Sequence, residues 1–235
     1  AWEQLDAWRG AIFSPRIKAV LTLFFDDPHF RRRFERCPAS IGGHHALAGG
    51  LLQHTAEVAA IARAIARVMC ADQDLVLAGA LLHDIGKVDA YAFDRGFEHT
   101  DLGRLLGHVA LGALRLERVV RGAASLPCTE DELALLHHFI LSHHGQLEFG
   151  AAVRPLTLEA EILHFADDAS AKARSFREAL ADAALFAGAS RVSARPLWQL
   201  DGRRVMRWEL RPDAARDDRR ATASGKNEAA TQPRD

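Results

Sequence analysis

The 235-residue sequence is poor in cysteine and contains no long apolar run. Its three cysteines, Cys37, Cys70 and Cys128, lie far apart and form no CxxC pair. That spacing argues against a disulfide framework or a zinc ribbon and favours reduced core thiols. A membrane-spanning helix needs about 20 consecutive apolar residues, and no segment reaches that length, so we expect no contact with a membrane.

The sequence also lacks an excess of charge of either sign. It has 30 Lys and Arg against 31 Asp and Glu, a formal net charge of −1. A general nucleic-acid binder usually has a strong positive field, so any contact with a polyanion must here be local or made through metal ions. The first residues, AWEQLDAWRG, resemble no secretory leader, and we therefore expect a cytoplasmic protein.

Helical periodicity dominates the chain from Trp2 to about Ala184, where apolar residues recur at spacings of three and four. This pattern predicts an all-α helical domain over residues 1–189. A second segment, 190–212, alternates apolar and polar residues around Asp201 and Gly202, which predicts a small β-ribbon with a tight turn. Residues 213–235 are charged and small, which predicts a disordered tail. The predicted helices lie near 3–13, 15–25, 51–69, 72–85, 105–121, 129–143 and 156–183.

Histidine is abundant: eleven of the twelve histidines fall between His44 and His164. In LVLAGALLHDIGKVDAY an apolar helix reaches His83 and Asp84, and Gly86 is predicted to break it. Adjacent helical residues diverge by about 100°, so both can approach one ion only where the backbone leaves room. Imidazole and carboxylate together suit zinc, manganese or ferrous iron.

A single His-Asp pair is weak evidence, because such a pair usually lies on a solvated helix end. Here further metal-binding side chains occur in other predicted helices, as in helix bundles that build metal sites from several helices. These additional candidates are His54, His108, His143, His144 and the adjacent pair Asp167 and Asp168.

The order of these residues resembles that of the HD superfamily of metal-dependent phosphohydrolases. More narrowly, the motifs LLAGALLHDIGKVDAY, RLLGHVALGA, LSHHG and ILHFADDASAKA resemble the HD domain of YhaM-type 3′–5′ exoribonucleases, from about Phe24 to Ala173. Exoribonucleases of that type carry an OB-fold domain before the HD domain. Nothing before Phe24 is long enough or strand-like enough to be one, so we expect no OB-fold domain here and no stacking platform of that kind for single strands.

The resemblance implies an HD helical bundle that holds two divalent transition-metal ions, with manganese favoured over iron, cobalt or zinc. Metal-assisted hydrolysis follows, in which the ions activate a water toward a phosphodiester. One ion would be held by His54, His83, Asp84 and Asp167, the other by His108, His143 and His144, with Asp84 bridging the two.

Some assignments stay open at this level. The apolar face of the last helix lies nearer to Asp168 than to Asp167, whereas the family pattern places the ligand at Asp167. Lys87, a candidate catalytic residue together with Asp84, could place an ammonium beside a substrate phosphate or be an ordinary exposed lysine. Arg104 and His45 are further candidates for substrate contact.

Three functions fit the sequence. The first is hydrolysis of RNA or a short oligonucleotide from its 3′ end. The second is hydrolysis of a signalling nucleotide, such as a cyclic dinucleotide or a dinucleoside polyphosphate, which the near-neutral charge favours. The third is a catalytically silent metal-binding interaction module, against which the complete ligand set argues.

Overall fold

Helices make up most of the chain in the computed structural model, which describes residues 1–41, 47–93 and 96–208. The predicted all-α fold class is confirmed. The helices are α1 (Trp2–Gly10), α2 (Pro15–Phe25), α3 (Pro28–Arg36), α4 (Gly50–Met69), α5 (Gln73–Leu82), α6 (Lys87–Ala90), α7 (Asp101–Arg121), α8 (Glu130–Ser142) and α9 (Leu158–Ala181). Short 3₁₀ turns occupy Leu147–Phe149, Ala183–Leu185 and Trp198–Leu200.

The centre of the fold is formed by α5, which packs against both α4 and α9. Every residue of α5 from Val76 to Leu82 is buried, which explains why its sequence is apolar on all sides. Gly79 allows close packing here, because a Cβ at that position would lie 3.1 Å from the ring of Phe139 and 3.2 Å from Leu163. Within the described ranges, no helix is long and apolar enough to cross a bilayer.

Helix α3 was not predicted from the sequence. Its segment PHFRRRFER is short and highly charged, so it offers little periodic signal. Asp27 caps it by accepting a hydrogen bond from the amide of His29, and Pro28 occupies the first turn. Only Phe30 and Phe34, four residues apart, are buried, and they pack against Phe24 and Phe25 of α2.

The helix boundaries around the metal-binding candidates also differ from the prediction. Helix α7 begins at Asp101 instead of 105, because the Thr100 hydroxyl accepts a hydrogen bond from the amide of Gly103. The helix is kinked at Gly107, whose φ of 71° and ψ of 161° are not helical. The kink directly precedes His108 and therefore sets the direction in which the following turn begins.

The segment after α9 forms less β-structure than predicted. Over its described part it makes two isolated antiparallel bridges, between Val192 and Met206 and between Leu197 and Arg203, around a turn at Asp201–Gly202. The two-stranded hairpin occurs elsewhere, between β1 (Tyr91–Ala92) and β2 (Glu98–His99). The segment is anchored on the end of α9 by an apolar cluster of Ala179, Leu185, Leu197, Leu200 and Val205. The predicted tail, 213–235, lies outside the described residues.

The three cysteines are free thiols, as the spacing predicted. Cys37 and Cys128 are buried, whereas Cys70 is exposed at the end of α4, so the expectation of core thiols is wrong for Cys70.

Candidate metal centre

Two of the candidate histidines lie at helix C-termini and are oriented in the same way. His83 follows the last residue of α5, and its Nδ1 lies 2.8 Å from the carbonyl oxygen of Ala80. His143 follows the last residue of α8, and its Nδ1 lies 2.8 Å from the carbonyl oxygen of Ile140. In each ring Nδ1–H donates to the carbonyl, which leaves the Nε2 lone pair available to a metal.

Gly86 allows the turn between α5 and α6 to pack directly on α7. A Cβ at Gly86 would overlap the carbonyl oxygen of His108 and the amide nitrogen of Gly112. The sequence analysis assigned Gly86 the role of a helix breaker, but its φ of −69° and ψ of −19° are helical. The position requires glycine for close approach, and this approach brings Asp84 and His108 together.

Asp84 occupies the centre of the cluster, and its two oxygens face different sets of donors. Oδ2 lies 3.2 Å from Nε2 of His83 and 3.6 Å from Nε2 of His54. Oδ1 lies 3.4 Å from Nε2 of His108 and 3.8 Å from Nε2 of His143. This arrangement allows one carboxylate to bridge two ions.

The two aspartates of α9 have different surroundings. Oδ1 of Asp167 lies 2.9 Å from Nε2 of His54, and its side chain is 16% exposed. Asp168 forms an ion pair with Lys172 at 3.0 Å, and its side chain is 43% exposed. The geometry therefore favours Asp167 over Asp168, although the assignment of the ligand stays a prediction.

The residues present fit a pair of bound cations. The donor atoms of His54, His83 and Asp84 lie within 4.8 Å of one another, and so do those of His108, His143 and His144. Four buried polar atoms in these side chains have no hydrogen-bond partner among the described residues: Oδ1 of Asp84, Nε2 of His108, Nε2 of His143 and Nδ1 of His144. A buried polar atom without a partner costs about 1–3 kcal/mol, a cost that coordination to a cation removes.

The protonation states of three of these side chains suit metal binding. Burial alone would raise the pKa of Asp84, but the charge of Lys87 and the His83 ring hold it well below its ordinary value. For Asp167, burial works to raise the pKa, but the hydrogen bond with His54 and the charges of the neighbouring histidines together lower it. Burial, helped by Lys87, lowers the pKa of His108 to about 3. The site thus offers ionised carboxylates and a neutral imidazole, the forms that bind divalent ions.

Lys87 is buried, with its ammonium nitrogen 2.6 Å from Oδ2 of Asp84, so the reading as an ordinary exposed lysine is wrong. It lines a cavity over the metal centre together with His144 and Asp167. Arg104 is exposed on α7, four residues before His108 and on the other side of the kink. His45 lies outside the described residues.

Two residues of α9 that the sequence analysis did not single out take part in the site. The Nδ1 of His164 lies 3.0 Å from the carbonyl oxygen of His143, and its ring lines the same cavity as Lys87. The hydroxyl of Ser170 lies 3.2 Å from Nδ1 of His54. Both lie three residues from Asp167, one helical turn away, which is the only signal that the sequence offers for them.

Comparison with known proteins identifies the family of the helical domain. Residues 51–172 match the family model of the HD domain. The 3′–5′ exoribonuclease YhaM of Bacillus subtilis (strain 168) is 35% identical over 182 residues, which are 76% of this chain and 56% of the relative. The same enzyme of Bacillus licheniformis is 34% identical over 182 residues, with the same coverage. That of Bacillus velezensis is 37% identical over 144 residues, 61% of this chain and 45% of the relative.

The chain therefore spans about half the length of the curated relatives that it matches. No solved structure matches it significantly.

Proposed function

This chain belongs to the HD family of metal-dependent phosphohydrolases, and we propose that it is a 3′–5′ exonuclease that acts on RNA or short oligonucleotides. The observation that carries the proposal is the position of Asp84 between two groups of donors, one at each of its oxygens. The substrate is suggested by the relatives, which are named 3′–5′ exoribonucleases.

Each group of donors would hold one divalent ion. His54, His83, Asp84 and Asp167 form the first group, and His108, His143 and His144 the second, with Asp84 shared. The ions would supply Lewis-acid activation of water and neutralise charge on the phosphate. Mixed imidazole and carboxylate ligands suit manganese, iron, cobalt and zinc. Among these four metals the resemblance to the family favours manganese.

Lys87 has the position of a phosphate-binding residue. Burial works to lower the pKa of its ammonium group, but Asp84, together with Tyr91 and Asp167, raises it, so the group stays charged. Because Lys87 lines the cavity next to Asp167, this charge can bind a non-bridging phosphate oxygen and oppose the negative charge that develops during hydrolysis.

The second candidate function is hydrolysis of a signalling nucleotide, and the net charge of −1 favours it. Membership of an enzyme family makes the silent interaction module the weakest of the three readings. The two enzymatic functions differ in whether the substrate is a chain that is shortened step by step or a small nucleotide that is cut once.

The decisive experiment measures bound metals and substrate range together. The purified protein is analysed for metals and then incubated under manganese with labelled single-stranded RNA, DNA, cyclic dinucleotides and dinucleoside polyphosphates. Stepwise shortening of RNA from the 3′ end with release of nucleoside 5′-monophosphates supports the exonuclease. Turnover of small nucleotides alone supports the second function, and no turnover of any phosphodiester contradicts both.

Variants test the ligand sets. Asp84→Ala should remove both ions and abolish turnover, while His108→Ala should retain one ion and a reduced rate that extra manganese partly restores by mass action. His137→Ala is a matched control, because this histidine of α8 instead pairs with Glu117 at 2.9 Å. Full activity in Asp84→Ala would show that catalysis occurs elsewhere.

A further inference from the structure

A second cavity, of about 600 Å³, opens beside the metal centre and shares part of its wall. Phe149, Asp168 and Ala171 line this cavity and also line the one that contains Lys87 and Asp167. A volume of this size suits a small ligand or one unit of a polymer. A substrate whose phosphate lies over the metal centre can therefore extend directly into the second cavity.

Two aromatic rings on the wall of this cavity are turned toward solvent. Phe149 is 64% exposed and Trp198 is 72% exposed. The backbone that carries each ring is anchored to its surroundings. The amide of Phe149 donates a hydrogen bond to the carbonyl oxygen of Gln146 at 3.1 Å, and Trp198 lies between Leu197 and Leu200, both buried in the apolar cluster at the end of α9. Both rings thus project from backbone segments that are anchored to the rest of the domain.

The charges around the cavity do not suit a phosphate. Lys172 is the only Lys or Arg among its lining residues in the described part of the chain, and it is paired with Asp168 at 3.0 Å and Asp201 at 3.4 Å. The side chains of Gln199 and Ser40 add polar groups to the wall. Aromatic rings with polar neighbours and no free cation match the uncharged part of a nucleotide, because bases stack on aromatic side chains.

We propose that this cavity binds the nucleobase next to the scissile phosphodiester, stacked on Trp198 and Phe149. The inference rests on the proposed function, since it takes a nucleotide substrate as given. It assigns the segment after α9 a role in substrate binding, with Trp198 as the principal contact.

The test compares Trp198→Ala with the unaltered chain on two substrates. One is an RNA trinucleotide, and the other is the same sugar-phosphate backbone without bases. Loss of one stacking partner should raise KM for the trinucleotide about tenfold, leave kcat nearly unchanged and not affect the substrate without bases. Trp198→Phe should restore most of the loss. Trp208→Ala is the control, because Trp208 is also exposed, at 66%, and does not line the cavity.

A binding measurement separates this proposal from the proposed function. Fluorescence anisotropy under manganese of a 5′-labelled trinucleotide whose phosphorothioate linkages resist cleavage requires no turnover. If no phosphodiester is cleaved but Trp198→Ala still weakens binding about tenfold, the exonuclease fails and the base site stands. The base site is overturned if Trp198→Ala and the unaltered chain bind the trinucleotide with equal affinity. It is also overturned if Trp198→Ala loses as much affinity for the substrate without bases as for the trinucleotide. The base site is also overturned if the unaltered chain forms a dimer and Trp198→Ala is a monomer, because the ring would then contribute to self-association.

A second inference concerns the orientation of His54 and rests on a separate observation. His83 and His143 donate Nδ1–H to main-chain carbonyls, whereas Nδ1 of His54 lies 3.2 Å from the hydroxyl of Ser170. That hydroxyl in turn donates to Oε2 of Glu57 at 3.0 Å. Because Ser170 has a single proton and gives it to the carboxylate, its oxygen accepts from His54.

The geometry points to Ser170 and Glu57 as positioning residues for the metal ligand His54. The chain of hydrogen bonds from Glu57 through Ser170 places a proton on Nδ1 of His54, while Nε2 faces Asp84 and Asp167. An ion bound between these side chains would therefore meet the Nε2 lone pair of His54. Hydrogen bonds of this kind fix the ring and raise the basicity of a ligating histidine.

Ser170→Ala and Glu57→Gln test this inference through metal affinity, measured by competition with a chromophoric chelator. Loss of such a hydrogen bond should weaken binding of one ion about 10- to 100-fold. Nitrogen NMR of the ring should show a changed tautomer of His54. Ser175→Ala is the control, because Ser175 lies on the same helix and its hydroxyl donates to the carbonyl of Ala171. Unchanged metal affinity and an unchanged tautomer in Ser170→Ala would overturn the inference.

Discussion

Gly86→Ala should damage the metal centre without altering any ligand. The added Cβ would overlap backbone atoms of α7, including the amide nitrogen of Gly112, and would lie 2.8 Å from the Cα of Gly112. Backbone atoms cannot rotate away as a flexible side chain can, so α7 must move outward.

The size of the effect follows from two opposing terms. Overpacking of this kind costs about 1–3 kcal/mol, and a backbone clash belongs at the upper end. The reduced entropy of the unfolded chain returns up to about 1 kcal/mol on Gly→Ala replacement. The free energy of unfolding should therefore fall by about 2 kcal/mol, which corresponds to a fall in melting temperature of roughly 4–8 °C for a chain of this length.

The assay combines thermal unfolding, followed by circular dichroism, with metal analysis of the folded protein. Nε2 of His108 lies 3.4 Å from Oδ1 of Asp84, and movement of α7 would separate these two atoms. The ion that His108 helps to hold should therefore be lost first. Gly10→Ala is the matched control, since a Cβ there meets no atom within 4 Å. A melting temperature within one degree of the unaltered chain, with unchanged metal content, would refute the reasoning.

Three further results are expected. Asp167→Asn should lose metal, whereas Asp168→Asn should keep it by elemental analysis, and the opposite outcome would move the ligand to Asp168. Asp6→Asn should lower the melting temperature at neutral pH. The hydrogen bond from Arg31, against burial, lowers the pKa of Asp6, so its stabilisation is present above the unfolded pKa of about 4 and is lost as pH falls through the lower folded value. The melting temperatures of Asp6→Asn and of the unaltered chain should therefore converge as pH falls from 7 to 2. A difference in melting temperature that stays constant with pH would contradict this. Deletion of residues 213–235 should change neither stability nor activity, and a fall of many degrees would show that the tail docks.

Much of the fold could be predicted because the signals are local. Apolar spacing marked the long helices, and α2 and α4 lie close to their predicted ranges. Helix α3 lacked this signal, since its stability comes from two phenylalanines that pack on α2. The ribbon after α9 was overestimated, because alternation of apolar residues also suits a loop that buries every few side chains in an apolar cluster.

The sequence by itself determined which chemistry is available: the types of ligand, their order along the chain and their resemblance to one family. The tertiary structure decided how the ligands are arranged, because the distances depend on the packing of helices that are far apart in sequence. Only packing places His54 beside His83 at one oxygen of Asp84, and His108 and His143 at the other. Packing also decides that Gly86 serves close approach rather than helix termination, since the atoms that exclude a side chain there belong to α7.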